Sequence, residues 1–202
     1  GAKKFPSLMR CSSKYSVEPG DSNIPPAEIC FPDGSKISSD SGIVNERISQ
    51  YLGSEVSLFP RLPESQEEHY RRKEELSEPV IRQMLGLHKN EPIPDLSVFP
   101  DNVFQEISEF STMKGTYFDA YPIHLLTTSW LKELENHSSK SAFETDRFRP
   151  NLLIESNEPG LVELAWCGET IQIGTARFNC EIPTIRCSMT THETGSLPRD
   201  ID

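Results

Sequence analysis

Two short segments of the sequence hold the residue types from which a metal or cofactor site is built. The first, RFRPN at 147–151, directly precedes the apolar run at 152–154, and the second occupies 183–191. Cys187 lies in the second segment, directly after Arg186 and among serine and threonine hydroxyls. A neighbouring cation favours the thiolate, which is the form that ligates a soft metal or acts as a nucleophile. Cys187 is therefore a candidate for either role, and the alternative is a small buried side chain that only fills space.

The first segment offers a guanidinium and an amide at alternate positions. Arg149 and Asn151 lie two residues apart on a segment that we expect to be extended, so both side chains should point to the same side. A planar guanidinium with a neighbouring amide can clamp a phosphate or a polar heterocycle. A structural salt bridge is the alternative role for Arg149.

Short elements must position these residues, because sixteen of the 202 residues are proline, which interrupts helices. Many short strands with few helices favour a β-rich α+β fold, a barrel or sandwich with short helical insertions. Hydrophobic spacing and turn residues give the expected positions. They are helices over 43–52 (capped by Asp40 or Ser41), 80–85 and 103–110, a helix starting at Thr128 or Ser129, strands at 56–58, 122–126, 151–155 and 161–166, and a hairpin around Gly174.

Composition excludes several classes of protein. The net charge is −11, whereas general nucleic-acid binding needs a surplus of cations. No apolar run approaches the about 20 residues that span a bilayer, so we expect no membrane partner. Five cysteines without a CxxC pair predict a reducing, cytoplasmic setting. The acidic segment 64–78 is typical of a solvated surface, and a docking site for a basic partner is the alternative.

Seven blocks in collinear order make this sequence similar to one known family. The chain resembles the MOSC family, the carboxy-terminal domain of molybdenum-cofactor sulfurase, together with part of its usual amino-terminal barrel partner. The resemblance extends over nearly the whole chain and is weakest across 61–115. Its blocks are FPDG at 31–34, YLG at 51–53, FDAYPIHLLTT at 118–128, RFRPN at 147–151, WCG at 166–168, IG at 173–174 and RCSMTT at 186–191.

The resemblance implies a MOSC-type β-barrel, with part of the amino-terminal barrel in 1–60, a helical insertion in 61–115 and the MOSC core in 116–202. It also implies a molybdenum–pterin cofactor, with Cys187 as the molybdenum ligand and catalytic residue. The other cofactor-binding positions are Arg149, Asn151, Arg186 and Thr127. Relatives begin earlier, with cations that grip the cofactor phosphate, and continue further, so we expect a domain truncated at its carboxyl end.

Enzymes similar to the mitochondrial amidoxime-reducing component reduce N-hydroxylated compounds with electrons from a donor protein. The resemblance therefore implies an oxidoreductase with a small-molecule substrate and an electron-donor partner. Unpaired sheet edges would favour a homodimer. Two alternatives stay open, a sulfur carrier with a persulfide on Cys187 and a non-catalytic interaction fragment. A zinc site at Cys167, Cys180, Cys187 and His192 fits no common spacing, and we expect His124 to be a buried core residue.

Overall fold

The computed structural model describes residues 4–20, 23–138, 140–195 and 197–200, and the chain divides into two units. The first unit contains Gly1–Pro60 with His192–Arg199, and the second contains Arg61–Thr191 with Asp200–Asp202. The predicted assignment of 1–60, 61–115 and 116–202 to a barrel part, an insertion and a MOSC core stays a prediction.

A three-stranded antiparallel sheet and one helix build the first unit. The strands are in the order β1-β2-β3, and Ile29 pairs with Ile37 across β2 and β3. The predicted helix is confirmed, and its residues Val44 and Ile48 are buried together with Phe31, which directly follows β2. The elements are β1 (Ser12–Tyr15), β2 (Ala27–Cys30), β3 (Lys36–Ser38) and α1 (Val44–Leu52), after a 3-10 helix at Pro6–Arg10.

Two local predictions for this unit are wrong. Neither Asp40 nor Ser41 caps α1 with its side chain, and Ile43 occupies the N-cap position. The segment after α1 forms no strand, because Ser49 and Asn45 of the helix take its backbone N–H groups. These side chains replace the partner strand that a β ladder needs, so the segment is irregular, with Val56 half-buried and Leu58 exposed.

Three helices open the second unit. The two helices predicted near residues 80 and 103 are confirmed, and each has its apolar residues on one face. Tyr70 and Phe110 are the buried residues of this part, and the bridge between Arg71 and Phe110 joins the ends of two helices. The helices are α2 (Glu67–Tyr70), α3 (Glu78–Leu85) and α4 (Asp101–Glu109), with a 3-10 helix at Leu96–Val98.

A parallel β-α-β unit positions the residues singled out by the sequence. Strands β4 and β5 pair in parallel, with Leu126 opposite Leu153, and two helices form the crossover between them. The predicted helix is confirmed and both predicted strands are present, although the one predicted at 122–126 occupies Leu125–Thr127. The cap of the first crossover helix is Thr127, one residue earlier than predicted. The elements are β4 (Leu125–Thr127), α5 (Thr128–His137), α6 (Thr145–Phe148) and β5 (Leu152–Ile154).

The predicted hairpin around Gly174 is confirmed, whereas the strand predicted at 161–166 is a 3-10 helix, Val162–Trp166. Leu161 and Leu164 are exposed, so the apolar run does not form the buried strand that its composition favoured. Short apolar runs fit a strand or a helical turn equally well. The hairpin strands are β6 (Thr170–Ile173) and β7 (Ala176–Asn179), and a 3-10 helix follows at Ser188–Thr191.

The fold is mixed α/β, with α-helices that contain more of the described residues than the strands do. The α+β part of the prediction is therefore confirmed, although the chain is less rich in strand than expected. In the described ranges the named strands pair into three separate sheets of three, two and two strands, so a closed barrel stays a prediction. None of the helices in the described part of the chain has the length and apolar character needed to cross a membrane.

Candidate functional site

The guanidinium of Arg186 packs against a pair of aromatic rings that contact each other. Its central carbon is 4.8 Å from the ring centre of Trp130 and 5.3 Å from that of Phe148, and these two rings meet edge to face. A cation over an aromatic face gains about 0.5–2 kcal/mol when it is partly removed from water. Burial lowers the pKa of Arg186, while the charges of Glu163 and Cys187 oppose that effect. Arginine nevertheless stays charged at neutral pH.

His124 fixes the position of this guanidinium. Its Nε2 atom is 2.9 Å from Nη1 of Arg186, and its ring also bonds to the backbone of Phe148 and Arg149. Because a guanidinium has no acceptor, Nε2 must accept and the imidazole must be neutral. Burial, followed by the charge of Arg186, lowers the pKa of His124 and favours this state. The histidine that we expected to be a core residue is thus a polar partner of a predicted site residue.

A second polar group joins the end of β4 to the 3-10 helix at Val162–Trp166. Thr127 is fully buried, accepts from the backbone N–H of Trp130 and donates to Oε2 of Glu163 at 2.8 Å. The other carboxylate oxygen of Glu163 is buried without a hydrogen-bond partner. An unpaired buried oxygen costs about 1–3 kcal/mol, so it marks a place where a ligand donor would be stabilised. No sequence pattern singled out Glu163, because it lies in the segment misassigned as a strand.

The extended backbone predicted across the first segment is wrong. Arg149 follows the short helix α6 in a left-handed conformation with φ of 50°, the one described non-glycine residue with positive φ. Asn151 accepts from the backbone N–H of His124 at 2.8 Å and donates its own backbone N–H to the His124 carbonyl. The Asn151 side chain therefore closes the start of the β4–β5 pair. Both residues are exposed, and their contacts with a cofactor stay predictions.

Arg147 is the buried arginine of the RFRPN segment, with 5% of its surface exposed. Its guanidinium donates to the carbonyls of Ala142 at 2.7 Å and Thr190 at 3.3 Å, and it lies 3.8 Å from the carboxylate of Asp200. It thereby holds the segment after Cys187 against α6. The RFRPN segment contains two arginines, Arg147 and Arg149, and their spacing does not indicate which of them is buried.

Cys187 is a half-buried free thiol at the start of the 3-10 helix Ser188–Thr191. Its carbonyl accepts from the backbone and the hydroxyl of Thr190, and Ser188 donates to the carbonyl of Met84 at the end of α3. Helices α3 and α6 thus hold the turn that carries the thiol.

The structure brings Arg186 and Thr127 close together, and Cys187 directly follows Arg186. Thr127 bonds to Glu163, whose charge acts on Arg186, and His124 bonds to Arg186. A separate cleft in the same unit, lined by Arg61, Lys114 and their neighbours, contains none of these residues. Within the described ranges, no three His, Cys, Asp or Glu side chains group closely enough to hold a metal ion by themselves. A site at Cys187 therefore has one thiol from this chain, next in sequence to the fixed cation of Arg186.

A β-α-β unit with a thiol beside an immobilised guanidinium defines a mixed α/β domain with a candidate cofactor site. Comparison with known families adds a more specific finding. The model of the MOSC domain matches residues 112–200, a stretch that includes all five predicted site residues. No curated protein and no solved structure matches the chain.

Proposed function

We propose that residues 112–200 bind a molybdenum–pterin cofactor and that Cys187 is the molybdenum ligand. The match to the MOSC domain, whose members are associated with this cofactor, is the observation that carries the proposal. In the same proposal, the chain is an oxidoreductase that reduces N-hydroxylated or similar small molecules with electrons from a donor protein. A MOSC-type barrel, a cytoplasmic location and a homodimer formed through sheet edges belong to the proposal as well.

The donor set fits such a group. A thiolate suits a soft metal, and one thiolate is enough when the pterin supplies the other sulfur ligands. The charged guanidinium of Arg186 complements an anionic cofactor. It is already held in position by His124 and the rings of Trp130 and Phe148, so it does not have to move when the cofactor binds. The unpaired oxygen of Glu163 can accept from an N–H group of a bound heterocycle. Cation, thiolate and acceptor thus match the charge and hydrogen-bonding character of a molybdenum–pterin group.

Each residue then has a defined task. Arg186 supplies a positive charge next to Cys187, while the neutral imidazole of His124 and the rings of Trp130 and Phe148 keep the guanidinium in place. The two rings also exclude water from one side of the cation. Bound cofactor would supply the two-electron oxygen-transfer chemistry.

Thr127 contributes indirectly in this proposal. Its hydroxyl has no exposed surface and already contacts the Trp130 amide, Ser129 and Glu163. We therefore assign it the positioning of the Glu163 carboxylate in place of a direct pterin contact. We assign Arg149, which is exposed and directly follows α6, to the phosphate end of the cofactor.

Metal analysis tests the proposal. The chain is produced in cells that make the cofactor, and molybdenum and oxidised-pterin fluorescence are measured for the wild type, Cys187→Ser and Cys180→Ser. The last variant removes another half-buried thiol of the same unit and serves as the matched control. We expect stoichiometric molybdenum in the wild type and control, and its loss in Cys187→Ser.

Equal molybdenum in Cys187→Ser and the wild type would refute the ligand assignment. Wild-type protein free of molybdenum and pterin would refute cofactor binding altogether. In that case, one additional sulfur on Cys187 after incubation with a cysteine desulfurase would support the sulfur-carrier alternative.

A further inference from the structure

Cys167 and Cys180 flank the β6–β7 hairpin, and the proposed cofactor site uses neither of them. Both are free and half-buried. The sequence placed them thirteen residues apart, and only the hairpin brings their backbones together. The distance between the two cysteines depends on the geometry of the turn that leads into β6.

That turn is a type II turn from Trp166 to Glu169. Cys167 has φ of −60° and ψ of 127°, Gly168 has φ of 86°, and the Glu169 N–H donates to the Trp166 carbonyl at 2.9 Å. These angles are those of the two central positions of a type II turn, in which the second requires positive φ and hence glycine. Cys167 therefore occupies the corner directly before the ladder begins.

The turn continues into a β-bulge opposite Cys180. The Gly168 N–H donates to the Cys180 carbonyl at 2.6 Å, and the Cys180 N–H donates to the Glu169 carbonyl at 2.9 Å. Two residues thus oppose one, and the first is a left-handed glycine, which defines a G1 bulge. Because Gly168 bonds to Cys180 in the bulge, the backbone of the preceding residue, Cys167, lies near that of Cys180.

This geometry limits the separation of the two cysteines. Fixed bond angles place each Cα about 2.4 Å from its end of the 2.6 Å Gly168–Cys180 hydrogen bond, so the two Cα atoms are at most about 7.4 Å apart. Disulfides form at Cα separations of about 4.4–6.8 Å, so the backbone is already near bonding distance. Both thiols are half-buried, and burial, followed by the charges of Cys167 and Glu181, raises the pKa of Cys180.

We propose that Cys167 and Cys180 are a redox-active pair that forms a reversible disulfide across the base of the hairpin. The oxidant is a low-molecular-mass disulfide such as oxidised glutathione. The Cys167 thiolate attacks one of its sulfurs, forms a mixed disulfide and releases one glutathione thiolate. The Cys180 thiolate then attacks the Cys167 sulfur and displaces the second glutathione. Two protein thiols lose two electrons and two protons, and one oxidised glutathione becomes two reduced molecules.

The order of the two attacks follows from the surroundings of Cys180. Its raised pKa leaves little thiolate at neutral pH, which disfavours it as the first nucleophile. Once Cys167 carries glutathione, its negative charge no longer opposes ionisation of Cys180. The second attack is also intramolecular, so proximity offsets the small thiolate fraction.

Mass spectrometry of the full chain tests the pair. Protein reduced and then incubated with oxidised glutathione is alkylated, digested and mapped. We expect loss of alkylation at Cys167 and Cys180 and a cross-linked peptide that contains both, reversed by dithiothreitol. Cys30→Ser, which removes a half-buried thiol on β2, should leave this cross-link unchanged.

Cys180→Ser should instead accumulate the glutathione adduct on Cys167, because the second step is removed. Alkylation of both cysteines after oxidation, or a cross-link that joins either of them to a different cysteine, would overturn the proposal. The wild-type map needs no variant, so the result stands even if a substitution impairs folding. It is also independent of molybdenum content, which concerns Cys187.

Discussion

Replacing His124 by glutamine should remove a pH dependence from the stability of the second unit. In the folded chain, Nε2 of His124 lies 2.9 Å from a guanidinium nitrogen, so a proton on that atom would face a fixed cation. Burial and Arg186 together lower the pKa of His124 from its ordinary 6.5, against the opposing effect of the Phe148 and Arg149 carbonyls. The unfolded chain takes up this proton more readily than the folded one.

The sign and size of the effect follow from proton linkage. Below pH 6.5 the unfolded state binds the additional proton, so the free energy of unfolding falls as the pH decreases toward the folded-state pKa. At most one proton is involved, which limits the contribution of His124 to about 1.4 kcal/mol per pH unit. The loss ends below the folded-state pKa, where both states are protonated.

Urea unfolding between about pH 5 and about pH 8 measures this contribution. In His124→Gln, the amide oxygen can still accept from Arg186 but cannot titrate. The decline of the free energy of unfolding at acidic pH should therefore become shallower by up to about 1.4 kcal/mol per pH unit, the contribution of one proton. His137→Gln, which replaces an exposed histidine on α5, controls for loss of a histidine as such and should retain the contribution of His124. Parallel wild-type and His124→Gln profiles would refute the assignment of a neutral, guanidinium-bound imidazole.

Two further substitutions test contacts around the site by chemical denaturation. Thr127→Ala should lower stability by about 2–4 kcal/mol, because it removes the cap of α5 and the hydrogen-bond donor to Glu163, whereas Thr127→Ser should retain most of it. A Thr127→Ala loss below that of an ordinary surface substitution would contradict this role. Gly86→Ala should cost about 1 kcal/mol more than Gly53→Ala. Both glycines have positive φ, but a Cβ at Gly86 would lie 3.0 Å from that of Ser188, while Gly53 has open space; equal costs would argue against the packing of α3 on the Cys187 segment.

The elements that could be predicted from the sequence are those specified by nearby residues. Helices α1 and α3 are recognisable because their apolar residues recur at helical spacing and each ends in a left-handed glycine. The β6–β7 hairpin is similarly local. The strand predicted at 161–166 is wrong because an apolar run without alternation does not distinguish a strand from a helical turn.

The candidate site was predictable in its chemistry and less so in its geometry. Cys187 with its preceding arginine was identified from residue types, and both lie in the matched MOSC region. The supposed clamp of Arg149 and Asn151 depended on an extended backbone, whereas α6 ends at the first of these residues with a left-handed turn. The role of Asn151 in joining the start of β4 to β5 is a pairing across 27 residues that spacing alone cannot reveal.

By itself, the sequence determined the acidic charge, the short helices with their glycine ends, and the presence of a cysteine beside an arginine. These are properties of composition or of interactions within a few residues. Only the tertiary structure decided that His124 meets Arg186 across 62 residues, that Thr127 meets Glu163, and that Arg147 is the buried arginine. Such pairs form because packing of β4, α5 and α6 brings distant polar groups out of water together, where each stabilises the other.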